Sequence, residues 1–218
     1  MKKQFAVIGL GRFGGSMVEE LSEMGIDVLA IDRDQDKVDK YAHYATHAVQ
    51  ANAINESVLK QLGIKNMDHV IVSFGEDIEA SILTTLLLKE LGVKQVWVKA
   101  SNEYHQRVLD KIGADKVIHP ERDMAKRIAH HVVSEKLIDY IELSKNHSIV
   151  EIAATKKLHQ KTIIELDIRA NFGCNIIGIQ RGSDIIVSPT ATDMVYEGDI
   201  LIVIGHNKDL HRFEEVGV

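Results

Sequence analysis

Apolar residues in the first half of the chain come in short strand-like runs that alternate with stretches of helical spacing. Phe5-Ala6-Val7-Ile8 is one such run, and Met17, Val18 and Leu21 follow it on one helical face. Val28-Leu29-Ala30-Ile31 is the next run. Residues 35–44 read as a helix with Val38 and Tyr41 on one face, and residues 48–51 as a brief strand. A helix over 56–62 is stopped by Gly63 in the manner of a C-cap. His69-Val70-Ile71-Val72-Ser73-Phe74 suits a strand buried on both faces. A helix over 78–91 ending at Gly92, a strand over 95–99, a helix over 102–112 and a strand over 116–118 complete the series. This alternation predicts an α/β fold, a Rossmann-like doubly wound parallel sheet.

The pattern changes after Pro120. Residues 123–137 read as an amphipathic helix, with Met124, Ile128, Val132 and Val133 at helical intervals. Short strands are predicted over 148–153, 175–180, 185–187 and 200–204, with a turn at Gly182-Ser183-Asp184. Residues 167–174, containing Gly173, separate a small helix from a strand. The reading is therefore two domains, 1–135 and 136–218, the second a small α+β domain.

Composition narrows the picture. At 218 residues there is room for an ordinary domain and a small one. A formal net charge of −6 argues against a general DNA- or RNA-binding role, which needs a basic footprint. Cys174 is the sole cysteine, so neither a disulfide framework nor a thiolate metal cluster is expected, as in a reducing compartment. No apolar stretch approaches the roughly eighteen residues of a membrane span. The N-terminal apolar run stops at Gly9, too short for a signal peptide. The expectation is a soluble, cytoplasmic chain.

The candidate chemistry lies where the first run breaks into Gly9-Leu10-Gly11-Arg12-Phe13-Gly14, a G-x-G-x-x-G. Gly9 lets the chain turn off the strand, Gly11 lets a backbone approach a pyrophosphate, and Gly14 lets helix and sheet pack closely. The N–H groups that open the helix then face the phosphates. Asp32 ends the second run, roughly 20 residues on, where a carboxylate takes ribose hydroxyls. A nucleotide site is predicted.

The same fingerprint occurs in NAD(P)-dependent oxidoreductases, and a small enzyme of that class is the alternative reading. Such an enzyme needs a substrate domain and an acid or base beside the nicotinamide. The segment after Leu137 is short and carries no recognisable catalytic constellation. His119, His130, His131 and His147 are candidates by residue type alone, and the adjacent His130 and His131 would point to different faces of a helix. A regulatory module uses the same crevice without chemistry, through population shift.

Beside these readings, the chain resembles the regulators of potassium conductance, the cytosolic gating subunits of Ktr/Trk-type potassium uptake systems. The resemblance runs through Val7 to Gly14, Asp32, Lys37-Val38, Leu62-Gly63-Ile64, Val70-Ile71-Val72 and Val96-Trp97-Val98-Lys99-Ala100. It continues through Leu109-Asp110-Lys111-Ile112-Gly113-Ala114-Asp115 and His119-Pro120-Glu121. In the tail it is carried by Leu166-Asp167-Ile168-Arg169, Asn175-Ile176-Ile177-Gly178-Ile179 and the run from Glu197-Gly198-Asp199-Ile200-Leu201 to Gly205.

The resemblance implies a regulatory subunit, not an enzyme, that binds ATP or ADP, with NAD(H) the weaker alternative. Gly9, Gly11, Phe13 and Gly14 would belong to the phosphate loop, Asp32 would hold the ribose, and Asn52 and Ala53 would lie beside the adenine. Many relatives carry Gly-Asp where Ala51-Asn52 stands here; an asparagine can still bond an adenine edge. Arg12 would reach a γ-phosphate, Lys99 would contact phosphate, and Glu121 would ligate a divalent cation, Mg²⁺ or Ca²⁺. Cyclic di-AMP would bind between two copies of the C-terminal domain through Ile163, Ile164, Asp167, Ile168, Arg169, Ala170, Asn175, Ile176, Ile177 and Pro189. Without the resemblance, those isoleucines read simply as core. The implied assembly is a homodimer building an octameric ring under a membrane-embedded channel subunit, which would make the protein peripheral to the cell membrane.

Overall fold

The computed structural model describes residues 3–133 and 136–218. The chain divides into two compact units, Met1–Glu121 and Arg122–Val218. In the first, parallel strands β1 (Phe5–Ile8), β2 (Val28–Asp32), β3 (His47–Gln50), β4 (His69–Val72), β5 (Val96–Lys99) and β6 (Lys116–Ile118) form one sheet in the order β3-β2-β1-β4-β5-β6. Helices α1 (Arg12–Glu23), α2 (Gln35–Tyr41), α3 (Glu56–Gln61), α4 (Ile78–Glu90) and α5 (Glu103–Lys111) make the crossovers. This is the expected doubly wound sheet. Strand order reverses between β1 and β4, the switch point where α/β sheets open a crevice.

Alternation along the strands builds two cores. One packs Ile8, Ile31, Leu59, Val72, Leu88 and Leu109; the other packs Val7, Val18, Val38, Tyr41 and Ile71. All five residues of β2 are buried, as a strand covered by helices on both faces requires. Asp34, Asn55, Asp77 and Asn102 cap α2, α3, α4 and α5 through their side chains, satisfying first-turn N–H groups. Gly63 and Gly92 end α3 and α4 in left-handed conformations. Asp115, from the Gly113-Ala114-Asp115 run, accepts from Lys89 Nζ and from the Val96 N–H, each at 2.7 Å. Its role is to hold α4 and β5 together.

Helix α6 (Pro120–Val133) starts at Pro120, three residues earlier than expected, because proline suits the first helical position. A division at 135 and one at 121 differ in which unit receives this helix. Its periodic residues Met124, Ile128, Val132 and Val133 are exposed, so helical spacing here does not mean a buried face. The helix expected to continue to residue 137 does not reach it, since Leu137 opens a strand; residues 134 and 135 lie outside the described set.

In the second unit, β7 (Leu137–Ser144), β8 (His147–Ala153), β10 (Asn175–Arg181), β11 (Asp184–Val187) and β13 (Ile200–His206) form an antiparallel sheet in the order β11-β10-β13-β8-β7. The short strands β9 (Lys161–Thr162) and β12 (Met194–Val195) pair separately. Helices α7 (Ile163–Leu166), α8 (Ile168–Phe172) and α9 (Asn207–Arg212) complete the unit, with a π-type turn over Phe213–Gly217. The core gathers Val150, Ile152, Ile168, Ile179, Leu201, Val203 and Phe213.

Asp199, from the Gly198-Asp199-Ile200-Leu201 run, is 2% exposed and takes a two-pronged bond from Arg181, at 2.9 and 2.8 Å. The Tyr196 N–H adds a third bond at 2.8 Å. Burial raises this carboxyl's pKa, but Arg181 and the Tyr196 N–H outweigh it and hold the group below its ordinary value. Asp199→Asn should cost about 1.5–3 kcal/mol, the range for hydrogen bonds to a charged group, read from the urea midpoint at neutral pH. A depressed folded pKa contributes stability above the unfolded value of about 3.9 and loses it as pH falls through the folded value. The difference between variant and wild type should therefore close in acid; a difference that stays constant down to pH 3 would refute this role.

Candidate functional site

At the end of β1, Gly9 turns the chain off the sheet with φ +93°. A Cβ there would stand 2.8 Å from the Ser73 carbonyl oxygen, so the loop leaves hard against the end of β4. Gly14 closes on the same loop, since its Cβ would lie 1.9 Å from the Gly9 carbonyl oxygen. Gly11 is different. Nothing lies within 4 Å of its Cβ position, and it opens α1 with no side-chain cap. The first N–H groups of α1, unlike those of α2 to α5, are left without a capping side chain at the positive end of the helix.

Asp32, 7% exposed, fixes the loop to the end of β2. Its Oδ2 accepts the Leu10 N–H at 2.6 Å and its Oδ1 the Asp34 N–H at 2.9 Å. A carboxylate offers about four acceptor positions, so each oxygen retains capacity for a hydroxyl donor. Asn52 Oδ1 accepts the Ile54 N–H at 3.3 Å, which leaves the Asn52 amide nitrogen as the outward donor.

These groups surround a cleft of about 590 Å³. Of the residues expected from sequence, Gly9, Gly11, Arg12, Phe13, Asp32, Asn52, Ala53, Lys99 and Glu121 line it, while Gly14 is buried behind the loop. The wall also includes residues that sequence reasoning missed: Arg33 and Lys37 after β2, Ile54, and Ser73, Phe74, Glu76, Asp77, Glu79 and Leu83 from the end of β4 into α4. Their signal was topological. Once β1 and β4 are neighbours at the switch point, the loop after β4 must face the loop after β1.

The cations of the cleft stand at both of its sides, Arg33 and Lys37 after β2 and Lys99 at the end of β5. Lys99, with a side chain only 13% exposed, pairs with the Glu121 carboxylate, and its Nζ lies 6.0 Å from the Phe13 ring centre. The bond from Lys99 holds the Glu121 carboxyl below its usual pKa; burial opposes this, and the exposed Arg12 adds to it. Glu121 is a single carboxylate already held by a lysine, and no group of three or more His, Cys, Asp or Glu among the described residues is arranged to hold a metal ion. Alone, these residues supply too few oxygens for Mg²⁺ or Ca²⁺, each of which takes six or more; phosphate or water oxygens would have to complete the shell. His119 is buried and bonded to Gln106 at 2.7 Å, while His147 is exposed beside His206. The side chains of His130 and His131 lie outside the described residues. Cys174 is buried, its thiol pushed up to about 11.

In the second unit the ten expected residues divide by exposure. Ile164, Asp167, Arg169, Ala170, Asn175 and Ile177 are exposed, and Ile163, Ile176 and Pro189 half-buried. Ile168, at 4% exposure, is a core residue whose side chain faces Phe213 and its neighbours; any ligand contact would be through its backbone. Helices α7 and α8 meet at Asp167 in a left-handed conformation, which brings Ile164 and Arg169 to one short segment.

Residues 5–120 match the model of the TrkA-N domain, and residues 147–216 that of the TrkA-C domain. The chain is 60% identical to Ktr system potassium uptake protein C of Bacillus subtilis (strain 168), across 99% of this chain and 97% of that protein. It belongs to the regulator of potassium conductance family. Ktr system potassium uptake protein A of the same organism is 55% identical, over 99% of this chain and 97% of that one. Members of this kind are regulatory subunits, and the oxidoreductase alternative falls on that membership. A solved structure of GsuK bound to ADP is similar with a TM-score of 0.52 and 25% identity, covering 62% of this chain but only 34% of that one. No helix among the described residues is long and apolar enough to cross a membrane.

The glycines of the loop offer a direct check of this geometry. Gly14→Ala should destabilise the first unit strongly, because a methyl cannot share space with a backbone carbonyl. Gly11→Ala should change stability by no more than about 0.5 kcal/mol, the range of substitutions that touch nothing. Equal thermal shifts for the two variants would contradict the geometry.

Proposed function

We propose that this chain is the cytoplasmic regulatory subunit of a Ktr-type potassium uptake system and that its cleft binds ATP and ADP. The observation that carries the nucleotide reading is the loop itself. Gly11 faces empty space, α1 is uncapped, and a buried carboxylate stands at the end of β2, all on one crevice at the switch point. The ADP-bound GsuK structure supports a ligand with an adenosine part, which ATP, ADP and the weaker alternative, NAD(H), share. Ile54 and Leu83 offer apolar walls for a base, and the Asn52 amide a donor for its edge.

The proposal gives the cations separate tasks. Arg12, exposed at the start of α1, reaches the γ-phosphate. Lys99 meets phosphate in competition with Glu121, with which it is paired. The second unit binds cyclic di-AMP between two copies, with Arg169 on phosphate, Asn175 on adenine and Ile164 and Ile177 against the base faces; the exposure of these side chains supports that reading. The subunit assembles as homodimers into an octameric ring and attaches to the membrane through an embedded channel partner.

Titration calorimetry tests the cleft. Gly11→Ala, folded as wild type, should weaken ATP and ADP at least about tenfold, because the methyl takes the space a pyrophosphate would fill. Arg12→Ala should erode the preference for ATP over ADP more than it weakens ADP, by about 1.5–3 kcal/mol for a charge-assisted bond. Unchanged nucleotide affinity in a folded Gly11→Ala protein would overturn the assignment. On the second unit, Arg169→Ala should abolish most cyclic di-AMP binding and leave ATP binding intact; loss of both, or of neither, would defeat the two-site reading.

A further inference from the structure

We infer that Asp77 makes the cleft selective for adenosine ligands with a free ribose 2′-hydroxyl, by holding Arg33 away from a 2′-phosphate. This rests on the reading of the cleft as an adenine-nucleotide site. In sheets of this kind the residue that takes a 2′-phosphate is an arginine close to the acid that ends β2. Arg33 follows Asp32 directly and lines the cleft, and a guanidinium matches a phosphate in both charge and hydrogen-bond geometry. By position, then, Arg33 would invite a phosphorylated ribose.

It is already engaged. Arg33 Nη1 stands 3.4 Å from Asp77 Oδ2, an ion pair that joins the end of β2 to the start of α4 across the mouth of the cleft. Both partners are held by other bonds. The Arg33 carbonyl accepts from Gln50 Nε2 at 3.2 Å, and Asp77 Oδ1 accepts from the Ala80 N–H at 3.0 Å as the cap of α4. The side chains are 73% and 42% exposed, so the pair adds little to stability. Its consequence is for the ligand. Glu76 and Glu79 line the same wall, so a 2′-phosphate would meet Asp32, Asp77, Glu76 and Glu79, with Arg33 paired to Asp77 and Lys37, the other cation after β2, 3.7 Å from Asp34. Discrimination comes from the repulsive arrangement as much as from Asp32 itself.

The test compares ADP with ADP carrying a 2′-phosphate, titrated into the full chain. Wild type should bind ADP at least tenfold more tightly. Asp77→Asn retains the cap, since asparagine caps as well as aspartate, and removes the competing charge. It should shrink the ratio about three- to tenfold, mainly through tighter binding of the 2′-phosphate form, with ADP within about twofold of wild type. Adding Arg33→Ala to that variant should erase the gain, while Arg33→Ala alone should leave the wild-type ratio within about twofold. A ratio unchanged in an Asp77→Asn protein that binds ADP normally overturns this inference and leaves the nucleotide reading standing. Failure of wild type to bind ADP or ATP overturns both.

Discussion

Asp32 sits at the end of a strand buried on both faces, and both its oxygens receive backbone N–H groups, from Leu10 at 2.6 Å and from Asp34 at 2.9 Å. The first of these bonds fixes the loop between β1 and α1; the second shapes the turn into α2. Everything at the cleft follows from that anchorage. The loop cannot close over the sheet, because Gly9 and Gly14 are already in contact at its base, so its middle is held open at Gly11. The two backbone donors offset part of the cost of burying this carboxylate. Its remaining acceptor positions face the cleft. The site is therefore preorganised, and a ligand does not have to order it on arrival.

Seen from this anchor, the residues that tie the chain to its relatives fall into two kinds. Asp115 and Asp199 are carboxylates bonded within the protein itself, one by Lys89 and the Val96 N–H, the other by Arg181 and the Tyr196 N–H. They join secondary elements, and neither lines the cleft. Gly11 and Arg12 are the reverse: no Cβ contact excludes a side chain at Gly11, and Arg12 is exposed on the cleft wall. A residue type that the structure does not explain, lying on a cleft wall, is the better pointer to binding.

The same distinction accounts for how much could be read from the sequence. The first unit was legible in almost every element because its central strands β1, β2 and β4 are buried on both faces and helices α2 to α5 carry Asx caps, so each signal is local. Strand β7 was not, because it is an edge strand whose residues 138–144 are exposed or half-buried, and only pairing with β8 makes it a strand. Helix α9 was hidden by its charges, with Leu210 and Phe213 the buried residues that dock it. The open loop could be expected from glycine spacing, but Arg33 and Asp77 lie 44 positions apart and meet only through the sheet order. In α6 the helical spacing was legible but not its bounds, because Pro120 opens the helix earlier and Leu137 already belongs to a strand.

The exposed apolar residues of α6 give the cleft a route to regulation under the proposed function. Glu121 is the second residue of α6, and its carboxylate is held by Lys99 at the end of β5. A nucleotide phosphate is a competing anion for the same ammonium, which is largely shielded from water and therefore strongly coupled to whichever anion faces it. Under that reading, binding at the phosphate end would exchange Glu121 for ligand at the first turn of α6, the helix on which Met124, Ile128, Val132 and Val133 are exposed. Exposed apolar residues in a row of this kind drive association. Because the exchange depends on how much negative charge reaches Lys99, triphosphate and diphosphate need not displace Glu121 equally. A ligand shifts an equilibrium only by its differential affinity for the two states. Lys99, contacted in one state by Glu121 and in the other by phosphate, is a place in this chain where that difference can arise.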